Sequence, residues 1–477
     1  ASPCPYSCSY SIRWFFSFLG VYAKNYRDDE RHQKGVGLGM EWWAVLLLII
    51  GSLVFLFLIG VPVAFAFLFI NLVGAYVLWG HTAGLTQMVL SIMRSVTVFA
   101  LLPVPLFILM GEIMFTFQIA PKMIDVIDGW IGKVPGRLSL LAVMAGVIFA
   151  TMSGSSLAGC ATLGSTLEPE MEKKGYDRSF SLGSIMSSGT LAAMIPPSAL
   201  GVLLASLAQI SVGDFLIAII IPGLVMAVMF GAYIILRATF QPQVAPGYEL
   251  SVNRTLGQKV VDTFKYVLPL GIIIFLVIGL IFLGLATPTE AAALGALGCF
   301  FLALAYKGWN WQFIKKAGSS STGISVMMFM ILCGAAGFSQ IMAFTGATEG
   351  LIEFATSFHF SPIVYVIIMQ VILMIMGAFM EPLSILMITI PIFMPIIKAM
   401  GINPLWFSVL MLINMEMATI TPPFGLVLFT MKAVAPDCSM WQIYRASLPF
   451  VILDVATIIL LMIFPSLVLF LPSLSAH

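Results

Sequence analysis

The chain has 477 residues, 60% of them hydrophobic and 9% charged, with a formal net charge of +1 and a mean hydropathy of +1.07. Soluble domains run at roughly 45–50% apolar and about 25% charged, so this much charge cannot clothe a water-exposed surface. A near-zero net charge also offers no basic face for nucleic acid. The six cysteines, Cys4, Cys8, Cys160, Cys299, Cys333 and Cys438, form no CxxC pair and indicate neither zinc nor a disulfide framework. HExxH and a Walker loop are both absent, so the chain carries no ATPase machinery of its own.

Residues 1–39 differ from the rest. An aromatic and apolar stretch at 10–23 is too short to span a bilayer comfortably, and a polar stretch, Lys24 to Lys34, leads to Gly35, Gly37 and Gly39. Met40 opens the first full-length apolar run. Residues 1–39 read as an N-terminal extension, with Met40 as a natural start, or as the end of a linker helix from a fused partner. No small-residue cleavage site follows residue 23, which argues against a signal peptide.

Apolar segments then follow at about 43–59, 62–79, 96–117, 138–168, 181–208, 214–236, 266–285, 290–305, 322–345, 362–397, 405–430 and 447–470. Most lie near the ~20 residues needed to cross a hydrocarbon core. Asp125, Asp128 and Trp130 fall in a partly polar stretch that reads as an interfacial helix with no site. Two segments, 138–168 and 362–397, are too long for one span and too short for two. Each is interrupted near its middle, at Ser153-Gly154-Ser155-Ser156 and at Gly377-Ala378 with Glu381-Pro382. That pattern predicts re-entrant helical hairpins, since irregular backbone at membrane depth is tolerated only where protein or a cavity surrounds it.

Landmarks recur at a nearly constant offset. Pro62 and Pro288 are 226 apart, Gly111 and Gly334 are 223 apart, as are Gly154 and Gly377, and Pro196-Pro197 and Pro422-Pro423 are again 226 apart. Two homologous halves follow, 40–240 and 266–477, joined by a linker at 241–265. Lys122, Lys133, Arg137, Lys173, Lys174 and Arg178 flank the first hairpin, and Arg237, Arg254, Lys259 and Lys265 fall in 237–265. Lys398 is the one fixed positive charge flanking the second hairpin, beside Glu349 and Glu353. The positive-inside rule therefore sets the two hairpins entering from opposite faces. The expected fold is an all-α polytopic membrane protein of two inverted repeats, an architecture of transporters with the site at the repeat interface.

A second break is expected in each half, at Ser187-Ser188-Gly189-Thr190 before Pro196-Pro197 and at Ala418-Thr419-Ile420-Thr421 before Pro422-Pro423. Proline removes a donor and clashes with the preceding turn, freeing upstream carbonyls. Carbonyl and hydroxyl oxygens suit a small cation such as sodium, and half-helix N-termini suit an anion. Two sodium sites are expected. One joins Ser153, Gly154, Ser155 and Ser156 to Ser188, Gly189 and Thr190; the other joins Gly377, Ala378 and Met380 to Ala418, Thr419 and Thr421. The substrate site is expected at Ser156, Pro196, Glu416 and Pro422. Glu112 and Glu416 are carboxylates within apolar segments, a costly and often functional placement; for Glu112 a structural role is the stronger reading. No cofactor beyond sodium as coupling ion is expected.

The runs FATMSGSSLAGCATLGSTLEPEM, SSGTLAAMIPPSALGVLLASLAQISVGDFLIA, ATPTEAAALGA and ITPPFGLVLF resemble the large membrane subunit of tripartite ATP-independent periplasmic (TRAP) transporters, the DctM-like permeases, over about residues 40–470. Ala418 stands where many members carry glycine. The resemblance implies a mobile transport domain built from hairpins and broken helices, and an elevator-like motion. It implies sodium-coupled uptake across the bacterial inner membrane, mostly of organic anions bearing a carboxylate. Its implied partners are a small four-helix membrane subunit and a periplasmic substrate-binding protein. A stand-alone sodium-coupled dicarboxylate symporter shares these features and would need no binding protein. An intramembrane hydrolase using Ser155 or Ser156 would need a nearby base, and the histidines, His32, His81, His359 and His477, lie in loops or tails.

Overall fold

The computed structural model describes residues 41–475, apart from 80, 117–119, 133, 154–155 and 248–254, and no strand occurs among the described residues. The first half carries α1 (Trp42–Leu58), α2 (Val63–Leu78), α3 (Thr82–Val96), α4 (Pro103–Thr116), α5 (Ala120–Trp130), α6 (Arg137–Ser153), α7 (Ser156–Lys173), α8 (Arg178–Thr190), α9 (Ala199–Leu207), α10 (Val212–Ala218) and α11 (Ile220–Phe240). Then come α12 (Leu256–Asp262), α13 (Leu268–Phe282), α14 (Pro288–Lys307), α15 (Trp311–Phe344), α16 (Ala347–Ser357), α17 (Pro362–Gly377), α18 (Pro382–Ala399), α19 (Pro404–Ile420), α20 (Leu426–Val434), α21 (Met440–Ile463) and α22 (Ser466–Leu474). Six helical stretches among the described residues are long and apolar enough to cross a bilayer. The chain is an all-α polytopic membrane protein.

Both expected hairpins form, as α6–α7 and α17–α18. Helix starts in the two halves pair at offsets of 225 to 227 residues: 137 with 362, 156 with 382, 178 with 404, and 199 with 426. The pairs α7 and α18 are both 18 residues long, and α9 and α20 are both 9. Local signals set these starts. Asp177 accepts from the Phe180 N–H at the head of α8, and Ser198 from the Gly201 N–H at the head of α9. Pro382 and Pro404 open α18 and α19 at positions where no helical donor is needed.

The structure departs from the sequence reading in several places. Residues 82–96 form a helix outside every expected segment, because α3 mixes apolar residues with Gln87, Ser91, Ser95 and Arg94. Helix α15 begins at Trp311 rather than 322, its first turns carrying Lys315, Lys316 and a run of serines. Residues 256–262 of the expected linker are helical. The segment expected at 447–470 divides at Pro465 into α21 and α22. Residues 1–39, Met40 and the tip residues Gly154 and Ser155 lie outside the described residues.

The chain clusters into two compact units. One comprises the described residues up to Met93 together with Ala336–Leu351. In it Phe67 meets Phe338 edge-on at 5.6 Å, and Trp79 lies 5.2 Å from Phe344. The other, Arg94–Ala335 with Ile352–His477, holds both hairpins. Its centre is formed by α8 and α19. Every residue from Phe180 to Thr190 and from Trp406 to Ile420 is buried. A helix buried on all faces belongs to a core, not to a lipid-facing rim. At the base of the first hairpin, Arg137 is 5% exposed and pairs with Asp128 at 2.8 Å, tying α5 to α6. The nearby Tyr176 hydroxyl accepts from the Leu138 N–H, and burial pushes its phenol above the usual range.

Candidate transport site

The breaks lie later than the sequence suggested. The backbone of Ser187–Thr190 is helical and passes into a 3₁₀ turn at Leu191–Ala193, so the first break spans 194–198. Ala418, Thr419 and Ile420 are likewise helical, and the second break spans Thr421 to Gly425. Hydroxyl side chains do not end these helices, because each donates back to a carbonyl of its own helix. Ser187 donates to Ser184 O (3.0 Å), Ser188 to Ile185 O (2.6 Å), Thr190 to Ser187 O (2.8 Å), Thr419 to Glu416 O (2.7 Å) and Thr421 to Met417 O (2.7 Å). The prolines make the breaks. Pro196 and Pro197 remove the donors that helical geometry would give to Ala192 O and Ala193 O, and Pro422 and Pro423 those for Ala418 O and Thr419 O. Ser188, Gly189, Thr190, Ala418 and Thr419 therefore stand in the last helical turns before the breaks, not in them. Both Pro-Pro bonds are cis.

The structure nevertheless assembles each hairpin tip against its break helix. In the first half, a Cβ on Gly189 would lie 2.9 Å from Ser156 O and 3.2 Å from Cys160 Cβ. Helix α7 thus starts directly on the last turn of α8. In the second half, a Cβ on Gly377 would lie 2.6 Å from Ala418 Cβ. The Phe424 N–H, in the break, donates to Ala378 O in the tip at 3.3 Å. Met380 closes the tip turn by donating to Met376 O at 2.9 Å. Ser153 ends α6.

The two halves also meet. The Ser156 hydroxyl, at the head of α7, donates to Glu416 Oε2 in α19 at 2.5 Å, joining residues 260 positions apart. Ser156 is 9% exposed and Glu416 2%. Of the four expected substrate residues these two come together. Pro196 instead borders a small apolar cavity with Phe107, Leu216, Val277 and Ile281. Pro422 is half-buried in the second break, where Tyr444 anchors the backbone by donating to Pro423 O at 2.9 Å. Glu112 is half-buried on α4.

Two features escaped the sequence reading. Asn414, one turn before Ala418, donates through Nδ2 to Gln370 O (2.9 Å) and Gln370 Oε1 (3.0 Å), clasping α19 to α17. Asp454, in α21, is fully buried, and neither carboxylate oxygen has a hydrogen-bond partner among the described residues. The signal for Asp454 was a lone carboxylate in the run 448–463, where the other residues save Thr457 are apolar.

Comparison with known proteins gives the family. Residues 50–467 match the model of the tripartite ATP-independent periplasmic transporter, DctM component. The C4-dicarboxylate TRAP transporter large permease protein DctM of Pseudomonas aeruginosa is 32% identical over 378 residues, covering 79% of this chain and 86% of that protein. Its counterpart from Rhodobacter capsulatus is 30% identical, covering 90% and 99%. The ectoine TRAP transporter large permease protein TeaC of Halomonas elongata is 27% identical, covering 90% and 99%. Among solved structures, Neisseria gonorrhoeae MtrF matches with a TM-score of 0.60 at 15% identity, covering 91% of this chain and 97% of that one. The Alcanivorax borkumensis YdaH transporter matches at 0.59 and 16%, covering 81% and 90%. These two likenesses concern the fold. The chain belongs to the DctM family, the large permease component of TRAP transporters.

Proposed function

We propose that this protein carries a small carboxylate-bearing solute across the bacterial inner membrane, driven by sodium, as the large permease of a three-part transporter. The observation that carries this reading is the contact between Ser156 at the first tip and Glu416 before the second break. It draws one hairpin of the first half onto the broken helix of the second, where a transporter of this architecture is expected to hold its solute. Sodium would bind at each tip-and-break pair. The donor set suits it: carbonyls released by prolines, and hydroxyls whose protons are given to helix carbonyls while their oxygen lone pairs stay free. Neutral oxygens fit a monovalent ion that must also leave. With sodium bound, the tips close and the helix N-termini at Ser156, Ala199 and Leu426 favour the substrate carboxylate. The family membership supports two partners, a small four-helix membrane subunit and a periplasmic binding protein that delivers the solute. The C4-dicarboxylate and ectoine relatives support a small organic acid or zwitterion as cargo.

The test is reconstitution in liposomes with both partners, with uptake followed in sodium and in choline at fixed pH and membrane potential. Uptake should require sodium and the binding protein. Equal rates in choline would end the sodium reading. Full saturable uptake by this chain alone would point to a stand-alone symporter.

A further inference from the structure

Helices α12 and α13 join through a π-helical turn at Thr263–Val267 into one apolar stretch of 27 residues, Leu256–Phe282. At 1.5 Å per residue it is about 40 Å long, exceeding a hydrocarbon core by about 10 Å. The surplus falls at its start, because the charges do: Lys259, Asp262 and Lys265 lie there, and none follows before Phe282. No residue from Leu256 to Val267 is buried, and Leu256, Val261 and Phe264 are exposed. Apolar side chains so placed belong against acyl chains, with the lysines between them at the level of lipid headgroups.

Tyr266 gathers two cations at that level. Lys122 Nζ, from α5, lies 5.2 Å from its ring centre, and Lys265 Nζ lies 5.3 Å from it. Other contacts hold the frame. Tyr306, near the end of α14, stacks on Tyr266 with ring centres 6.0 Å apart, and its hydroxyl donates to Lys265 O. Trp130 Nε1, at the end of α5, donates to the Thr263 hydroxyl at 2.8 Å. Three helices thus converge on one spot, and the exposed Trp130 beside it has the character of an aromatic belt residue.

Both lysines are exposed, and among the described residues neither is in an ion pair. Asp125 and Asp262, the nearest carboxylates along the chain, have interactions of their own. An ammonium resting on a ring face keeps N–H donors for an acceptor. Two cations gathered at one ring repel each other, and an anion between them relieves that repulsion. By the positive-inside rule this end of the helices faces the cytoplasmic leaflet, where anionic headgroups attract lysines close to the surface.

We propose that Lys122 and Lys265, set around Tyr266, bind the phosphate of an anionic phospholipid whose acyl chains lie along Val261, Phe264 and Leu268. The lipid bridges α5 to the start of α13, and α5 also carries Asp128, the partner of Arg137 at the base of the first hairpin. A zwitterionic lipid brings its own cation to the two ammoniums and loses most of the attraction. The site does not depend on the carrier reading above.

The full chain, purified in detergent, is titrated with phosphatidylglycerol, an anion, and with phosphatidylcholine, a zwitterion bearing the same chains. Bound lipid is counted by native mass spectrometry at fixed ionic strength. The wild type should hold phosphatidylglycerol about thirtyfold more tightly. Lys122→Gln and Lys265→Gln should each lower that preference about fivefold, and together they should bring it close to one. Lys173→Gln, at an exposed lysine of another basic segment, should leave it unchanged. All three side chains are exposed, so folding is not at stake. Equal affinity of the wild type for the two lipids, or a preference unmoved in the double variant, overturns the proposal. An equal loss with Lys173→Gln would mean diffuse attraction and overturn it as well. Inorganic phosphate should not displace the lipid at matched ionic strength; displacement would reveal a plain anion site and end the lipid assignment.

Discussion

Gly377 and Ala418 touch so closely that a methyl group on the first would overlap the methyl of the second, at 2.6 Å. Gly377 ends α17 at the second tip and Ala418 stands one turn before the second break. The broken helix carries alanine here, and the glycine at the tip leaves its methyl room. The pair is therefore a lock between tip and broken helix whose volume is already full.

Gly377→Ala should overpack that lock. Inserting a methylene into a filled core costs about 1–3 kcal/mol, and the strain falls where the tip must open. Uptake should fall several-fold, and Ala418→Gly in the same chain should restore most of it. A double variant no better than Gly377→Ala alone would show that the two residues do not share the same space in the working protein.

Orientation gives a second test. The segments 118–137, 169–179 and 237–265, short helices included, hold the basic residues of the first half and the linker and should face the cytoplasm, whereas 346–361 and 398–404 should face the periplasm. A cysteine placed at Glu349 should react with an impermeant thiol reagent on intact cells, and one at Lys173 should not. The reverse pattern would overturn the orientation, and reaction of both positions or of neither would overturn the inverted arrangement of the halves.

The base of the first hairpin makes a third. The buried Arg137 guanidinium bonds both the carboxylate of Asp128 (2.8 Å) and its carbonyl (2.7 Å). Asp128→Ala leaves a buried cation under-compensated, whereas Arg137→Met removes the charge and keeps much of the volume. The first should lower thermal stability by on the order of 2 kcal/mol, discounted because Asp128 is partly exposed, and the second by less. An equal or larger loss for Arg137→Met, by denaturation in detergent, would contradict this account.

Much of this architecture was legible before any coordinates. Ser153 to Ser156 and Gly377 to Pro382 interrupt apolar runs of awkward length, and bilayer dimensions leave few alternatives to a hairpin. Pro196-Pro197 and Pro422-Pro423 mark breaks because proline acts through covalent geometry, whatever its surroundings. Ser187 to Thr190 misled, since the same hydroxyls that can compete with a helix can also bond back within one. Helix α3 was hidden by its mixed polarity. The partnership of Ser156 with Glu416 depends on how α7 and α19 dock, which no local pattern encodes.

The last prediction concerns coupling. If sodium sits between tip and break in each half, its oxygen ligands come from released carbonyls and from hydroxyls near them. Thr190 is the last residue of α8, directly after Gly189 of the Gly189–Ser156 contact, and Thr419 likewise follows Ala418. Both hydroxyls bond their own helix, so alanine in either place removes one modest hydrogen bond and one lone-pair donor. Loss of the bond alone is worth about 1 kcal/mol of stability. Loss of a ligand oxygen of similar worth raises the sodium concentration for half-maximal uptake about fivefold. Thr190→Ala and Thr419→Ala should each shift that concentration upward while leaving the maximal rate at saturating sodium largely intact. Serine at either place keeps the oxygen and should restore wild-type sodium dependence, which a purely structural role for the methyl group would not do. Two variants with lowered rates at all sodium concentrations and an unmoved half-saturation point would place the coupling ions elsewhere.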